Sequence, residues 1–281
     1  MQSFGVLLAL ASALVWGGGD FLGGLAARRN SHLHVLALSA FSGVVMLIVS
    51  AVLWGEWSVL SRDLMWAIPA GLSGAAGIAN LYRGLSLGNA ATVAPIAAVI
   101  GAAVPVIVGV LTESWPPLTQ TLGFGLAIVG IWFVTSSAST DPRLQSRSAQ
   151  GLRLAVLAGA GFGGFFVFMA RTSEDAVFLP LAAARVIGVV SAVLLITARR
   201  MPLPSLAASP AALVAGLLDA SGGVFFVLAK QWTRFDVAAV LSSLYPVSTV
   251  LLARIVQSER ITPMQWMGVA LCLVAVGLMT I

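Results

Sequence analysis

The sequence predicts an all-α integral membrane protein with ten transmembrane helices, arranged as two inverted five-helix repeats. The first observation behind this is composition: 59% of the residues are hydrophobic and only 9% charged, whereas an ordinary soluble domain carries roughly 25% charged residues. The second is patterning. The apolar residues come in runs of about 20, long enough to cross a ~30 Å hydrocarbon core as a helix, and not in the short alternating segments of an outer-membrane barrel. The third is an internal repeat. A shift of 146 residues aligns Gly5 with Gly151, Leu8 with Leu154, Trp16 with Phe162, Gly17 with Gly163 and Gly18 with Gly164. The same shift aligns Gly77 with Gly223, Val104 with Val250, Glu113 with Glu259 and Pro117 with Pro263. Each half carries five spans, an odd number, so the second half enters the membrane from the side opposite the first. The expected organisation is a first repeat over 1–137, a linker over 138–150 and a second repeat over 151–281.

The first span, 4–26, is too long for a removable signal peptide and its end is too rich in Gly and Asp for a cleavage site. It holds Trp16 and Asp20 on one helical stripe with Ala13. The second, 33–54, has His32 and His34 at its edge, with no carboxylate or thiol nearby to complete a metal site. The third, 64–85, offers Ser73, Gly77 and Asn80, with Arg83 near its end. The fourth, 91–111, contains Pro95 and Pro105, and the fifth covers 119–137; Glu113 marks the tight turn between them. The polar stretch from Ser136 to Gln150 joins the halves. The sixth span, 151–170, repeats the first stripe as Gly159, Phe162 and Phe166. The seventh, 177–198, contains Arg185, whose guanidinium is expected to snorkel to the nearer surface unless it meets Asp219 or an anionic solute. The eighth, 208–229, places Asp219 at its centre and Lys230 at its end. The ninth, 236–256, has Tyr245 before Pro246, a proline that frees a backbone carbonyl and kinks the helix; Pro95 and Pro105 are read the same way. The tenth, 264–281, contains the single cysteine, Cys272, a packing residue with no partner for a disulfide.

Inverted repeats give a polypeptide two related conformations, one open to each side, with a solute site near the midplane. A carrier of a small solute follows as the expectation. The resemblance agrees with it: ten spans, Trp16-Gly17-Gly18, and Leu244-Tyr245-Pro246-Val247 leading to Glu259-Arg260-Ile261-Thr262-Pro263, Gln265 and Gly268 resemble the EamA-type branch of the drug/metabolite transporter superfamily. The likeness runs along essentially the whole chain and is more specific in the second half; the first half has Ser114 where Arg260 stands and no Tyr-Pro. It implies a ten-helix secondary carrier, often an exporter of amino acids or related metabolites, with a central cavity lined by helices 1, 3, 4, 6, 8 and 9.

Asp219 is the leading candidate for the site, because a charged carboxylate at the centre of a span costs on the order of 3 kcal/mol even on the insertion scale. Asp20 lies roughly 8 Å from the midplane by helical rise. A carboxylate withdrawn from water can exchange a proton nearer neutrality, which would couple proton entry to solute exit. Trp16, Phe162, Phe166, Ser73, Asn80 and Tyr245 complete the expected substrate- or proton-binding set, with Arg185 as a candidate ion-pair partner. No nucleophile and base stand together for an intramembrane enzyme, the alternative function, and a passive channel is made less fitting by the duplication. No cofactor and no nucleic acid is expected. The net charge of +5 comes from arginines scattered over short loops, which set topology and meet lipid phosphates. The partners expected are a small-molecule solute, membrane lipids and, where transport is coupled, protons; the expected setting is a bacterial cytoplasmic (inner) membrane. Orientation is a conflict within the sequence. Alternate loops carry ten and five basic residues, which by the positive-inside rule puts both termini outside, while the resembled family usually has them inside.

Overall fold

The computed structural model describes residues 2–58, 60–86, 90–112, 115–135, 148–257 and 262–280. The linker core, Glu113, Glu259 and Arg260 lie outside the described residues. Among these, all regular structure is helical: α1 Gln2–Arg29, α2 His32–Trp54, α3 Ser61–Ser86, α4 Ala90–Thr112, α5 Leu118–Thr135, α6 Ser148–Met169, α7 Phe178–Ala198, α8 Pro210–Ala229, α9 Phe235–Ser242, α10 Tyr245–Gln257 and α11 Pro263–Thr280, with a short 3₁₀ turn at Leu206–Ala208. Nine of the ten apolar runs are single helices. The ninth is two.

Local chemistry sets several of these ends. Ser31 caps α2, its hydroxyl accepting from the Leu33 amide, and Gly55 closes that helix at φ 80°, the left-handed region that favours glycine. Pro210 starts α8 directly after Ser209, whose hydroxyl accepts from the Ala212 amide. The break in the ninth run falls at Ser243 and Leu244. Pro246 has no amide hydrogen and its ring excludes the carbonyl four residues back, so the chain leaves the helix there and restarts at Tyr245. The expected kink is therefore a full interruption. By contrast α4 passes Pro95 and Pro105 unbroken, and α3 passes Pro69.

Six helices, α1, α2, α3, α6, α7 and α8, contain stretches long and apolar enough to cross a membrane; α4, α5 and α11 contribute shorter apolar stretches. Leu7, Leu14, Leu53, Leu111 and Ile255 point outward and are more than half exposed, an apolar exterior suited to lipid. Inside, Trp16, Phe166, Phe226, Met169, Leu181 and Leu244 form the heart of the core.

The packing follows the repeat. α1 lies along α8 as α3 lies along α6; α4 meets α6 as α9 and α10 meet α1; α2 meets α8 as α7 meets α3; α2 packs on α7, and α5 on α11. Swapping the halves exchanges the first three pairs of contacts and maps α2 on α7 and α5 on α11 onto themselves. Most of these contacts join one half to the other, so neither half has a core of its own. The crossing of α3 and α6 is close because Gly161 has no side chain: a Cβ there would sit 2.6 Å from the Ser73 carbonyl oxygen. Cys272 is buried where α11 meets Gly130 of α5.

Candidate functional site

Where α1, α2, α3, α6, α7, α8 and α10 converge they enclose a cavity of about 910 Å³, counted to its open mouth. Trp16, Asp20, Phe162, Phe166, Asp219, Tyr245 and Arg185 all line it. These came from five separate spans of the sequence. Ser73 and Asn80 do not line it. The reason is the stripe that α3 presents: Gly71, Gly74, Ala75, Ile78 and Tyr82 face the cavity, while Ser73 lies against Gly161 and Gly164 of α6. The Asn80 amide donates to the Ala76 carbonyl one turn back, at 2.7 Å. The described side chains of α4 contribute nothing to the lining, whereas α2 and α7 do, which differs from the set of helices the resemblance implies.

Arg185 does not snorkel. Its guanidinium turns inward to form an ion pair with the Asp219 carboxylate, and a second nitrogen donates to the Asp219 carbonyl at 3.3 Å. Both side chains are mostly enclosed, 13% and 24% exposed, so each neutralises a charge that would otherwise be costly there. The same Asp219 carbonyl accepts from the Trp16 indole Nε1–H at 2.9 Å. One turn nearer the N-terminus of α1, the Ser12 hydroxyl donates to the Gly222 carbonyl at 2.8 Å. α1 is thus pinned to α8 at the level of the ion pair.

Asp20 is different. It lines the cavity yet its carboxylate has no hydrogen bond and no ion pair among the described residues. The same cavity is lined by an aromatic cluster. Trp16 meets Phe166 edge-on at 5.4 Å and Phe165 at 6.3 Å between ring centroids, and Phe166 meets Phe226 at 4.8 Å. Tyr82 and Tyr245 complete the ring of aromatics; Tyr82 reaches this level because its hydroxyl occupies the space a side chain on Gly23 would need. Tyr82 and Phe165 were not singled out by sequence reasoning. For Phe165 a signal existed, since it precedes Phe166 within the Phe162 stripe; for Tyr82 the cue was its position one turn beyond Ile78 on the glycine face of α3.

At one end of the molecule Glu56 and Asp63 bond across from the first half to the second, and Lys230 makes bonds within the second half. Glu56, between α2 and α3, accepts from the Val177, Phe178 and Leu179 amides at 2.7–3.1 Å and so caps α7. Asp63, fully buried at the start of α3, accepts from the Ser173 amide and hydroxyl at 2.8 and 2.7 Å. The Lys230 ammonium donates to the carbonyls of Met169, Ala170 and Thr172 at the end of α6. Burial pulls its pKa down to about 8, partly opposed by Glu174 and Asp63. Lys230, at the end of α8, thereby caps α6. All the described carboxylates outside the cavity, Glu56, Asp63, Glu174, Asp175 and Asp236, belong to this end. The opposite end carries Arg28, Arg29, Arg83, Arg153, Arg199 and Arg200, all exposed.

The model of the EamA-like transporter family matches this chain twice, over residues 3–136 and 149–281. No curated protein matches it. A solved structure titled only as the crystal structure of a protein aligns with a TM-score of 0.78 at 15% sequence identity, covering 99% of this chain and 98% of its own; at that identity the likeness is one of fold.

Proposed function

The chain belongs to the EamA-like transporter family, and on that premise we propose that it is a secondary carrier that moves a small metabolite, such as an amino acid or related compound, outward by alternating access. It is a multi-pass membrane protein; the proposed setting is the bacterial inner membrane, with ten spans in two inverted repeats bounded at 1–137 and 151–281. The observation that carries the reading is the cavity between the halves, with an unpartnered carboxylate, Asp20, beside an ion pair contributed by α7 and α8. A carboxylate placed so is costly to keep charged and empty, which is what a site that must load and unload requires. The tie formed by Glu56 and Asp63 supports alternating access: it is a set of bonds between halves that one conformation makes and the other breaks.

Asp20 is also the group assigned to carry a coupling proton. Among the described residues, Arg185 of α7, Asp219 of α8, Tyr82 of α3 and Tyr245 of α10 are the ionisable groups that share its cavity. The test is uptake and counterflow in proteoliposomes with labelled amino acids and amines, with and without an imposed pH gradient. Gradient-driven flux that is lost in Asp20→Asn supports a proton-coupled carrier, flux indifferent to the gradient makes it an exchanger or uniporter, and absence of flux for every solute rejects the carrier reading.

A further inference from the structure

Resting on the carrier reading, we propose that the solute is an organic cation with an apolar, ring-sized body, held by the Asp20 carboxylate against the aromatic wall, and that a carboxylate on the solute works against binding. The charge arrangement comes first. Among the described charged side chains that line the cavity, Arg185 is the one cation, and it is already committed to Asp219 through both its side-chain and backbone oxygens. An incoming carboxylate would have to displace an internal one that is covalently held in place, and would meet Asp20 besides. With Asp20 ionised the lining has one negative charge in excess, and it sits on the residue without a partner among the described residues. A solute ammonium supplies what that carboxylate lacks.

The second observation is the wall. Trp16, Phe162, Phe165, Phe166, Tyr82 and Tyr245 all face the same space as Asp20. Aromatic faces attract a cation through their quadrupole, by roughly 0.5–1 kcal/mol each when exposed and about 2 when desolvated, and they pack against a flat apolar body. Neither effect favours an anion. Trp16 is held in place by its bond to the Asp219 carbonyl and by its edge-on contact with Phe166, so the wall is ordered before a solute arrives. Little ordering cost then falls on binding.

The experiment uses three probes with one ring: phenethylammonium, phenylalanine and phenylacetate, which carry the ammonium alone, both charges and the carboxylate alone. Binding to the full-length protein in nanodiscs is measured by titration calorimetry and movement by counterflow in proteoliposomes, for wild type, Asp20→Asn and Asp20→Glu. The expected result is that phenethylammonium binds about tenfold or more tightly than phenylalanine, that phenylacetate does not compete, that Asp20→Asn removes the preference and that Asp20→Glu keeps part of it. Asp20 makes no side-chain bond among the described residues, so Asn in its place is expected to fold, and the Glu variant controls for the shape of the site. Equal or tighter binding of phenylalanine or phenylacetate overturns the proposal, as does a preference that survives in Asp20→Asn or a lack of phenethylammonium binding at millimolar concentration. Counterflow of amino acids with no preference for the cation would overturn this assignment while leaving the carrier standing; absence of counterflow for every solute would overturn both.

Discussion

At corresponding positions the two halves hold different chemistry. Asp20 of α1 stands where α6 has Phe166, Asp219 of α8 where α3 has Ser73, and Arg185 of α7 where α2 has Ser39. The main helix contacts between the halves are related by their exchange, yet the charged lining residues lie on α1, α7 and α8 while α6 contributes only the phenylalanines Phe162, Phe165 and Phe166. The bonds at the tied end are one-sided too. Glu56 and Asp63 reach across to the other half, but their counterparts in the repeat are Pro202 and Ser209, and Ser209 caps its own helix. On the proposed carrier reading, duplication would supply a frame that rocks between two related states, and divergence would make those states unequal.

The strongest way to break this comparison is to exchange chemistry at a matched pair. Asp20→Asn is expected to lower flux by about tenfold or more, while Phe166→Leu, at the same place in the other half, keeps the charge site and lowers flux only a few-fold; equal losses in counterflow would erase the distinction. Next comes the ion pair. Arg185→Gln leaves Asp219 unpaired in an enclosed site and is expected to cost about 3 kcal/mol, seen as a lower melting temperature in detergent, whereas Ser39→Ala at the matched position changes stability by less than about 0.5 kcal/mol. Arg185→Gln with Asp219→Asn should recover much of the loss, since no charge is then stranded. A double variant as unstable as the single one would show that the pair is not what Arg185 supplies.

Smaller effects sharpen the contrast further. Removing the tie by Asp63→Asn is expected to speed amide hydrogen exchange at Ser173 by about tenfold relative to wild type, and Glu56→Gln should do the same at Val177, Phe178 and Leu179. Ser209→Ala should affect only the first turn of α8, at about 1 kcal/mol. Pro246→Ala is expected to let α9 and α10 join, raising exchange protection at Ser243 and Leu244, while Pro105→Ala in the unbroken α4 leaves its protection as it was. The smallest effect is electrostatic. Lys230 is held below its ordinary pKa, so its buried ammonium costs stability below about 8, and that cost is relieved as pH rises and the folded state gives up the proton. The melting temperature of wild type should therefore rise relative to Lys230→Met between pH 8 and about 10, where the unfolded chain still binds the proton; a fall would reverse the sign assigned to burial.

The ten apolar runs were readable because hydrophobic length is a local property, set by the solvent that each segment must meet. The repeat was readable because duplication leaves residue identity at a constant spacing, and the deep carboxylates stood out because charge in an apolar run is costly anywhere. Which face of a helix turns toward the cavity is not local. It depends on how α3 rotates against α6, and close packing at Gly161 fixes that rotation so that Ser73 meets a neighbouring helix and Tyr82 meets the cavity. For the same reason Arg185 and Asp219, 34 residues apart in the chain, became partners only when α7 and α8 converged. Sequence determined that this protein lives in lipid, in two related halves, with charges it must accommodate; tertiary structure alone decided that Arg185 accommodates Asp219 and that Asp20 is left facing the cavity, because pairing requires proximity and proximity comes from packing.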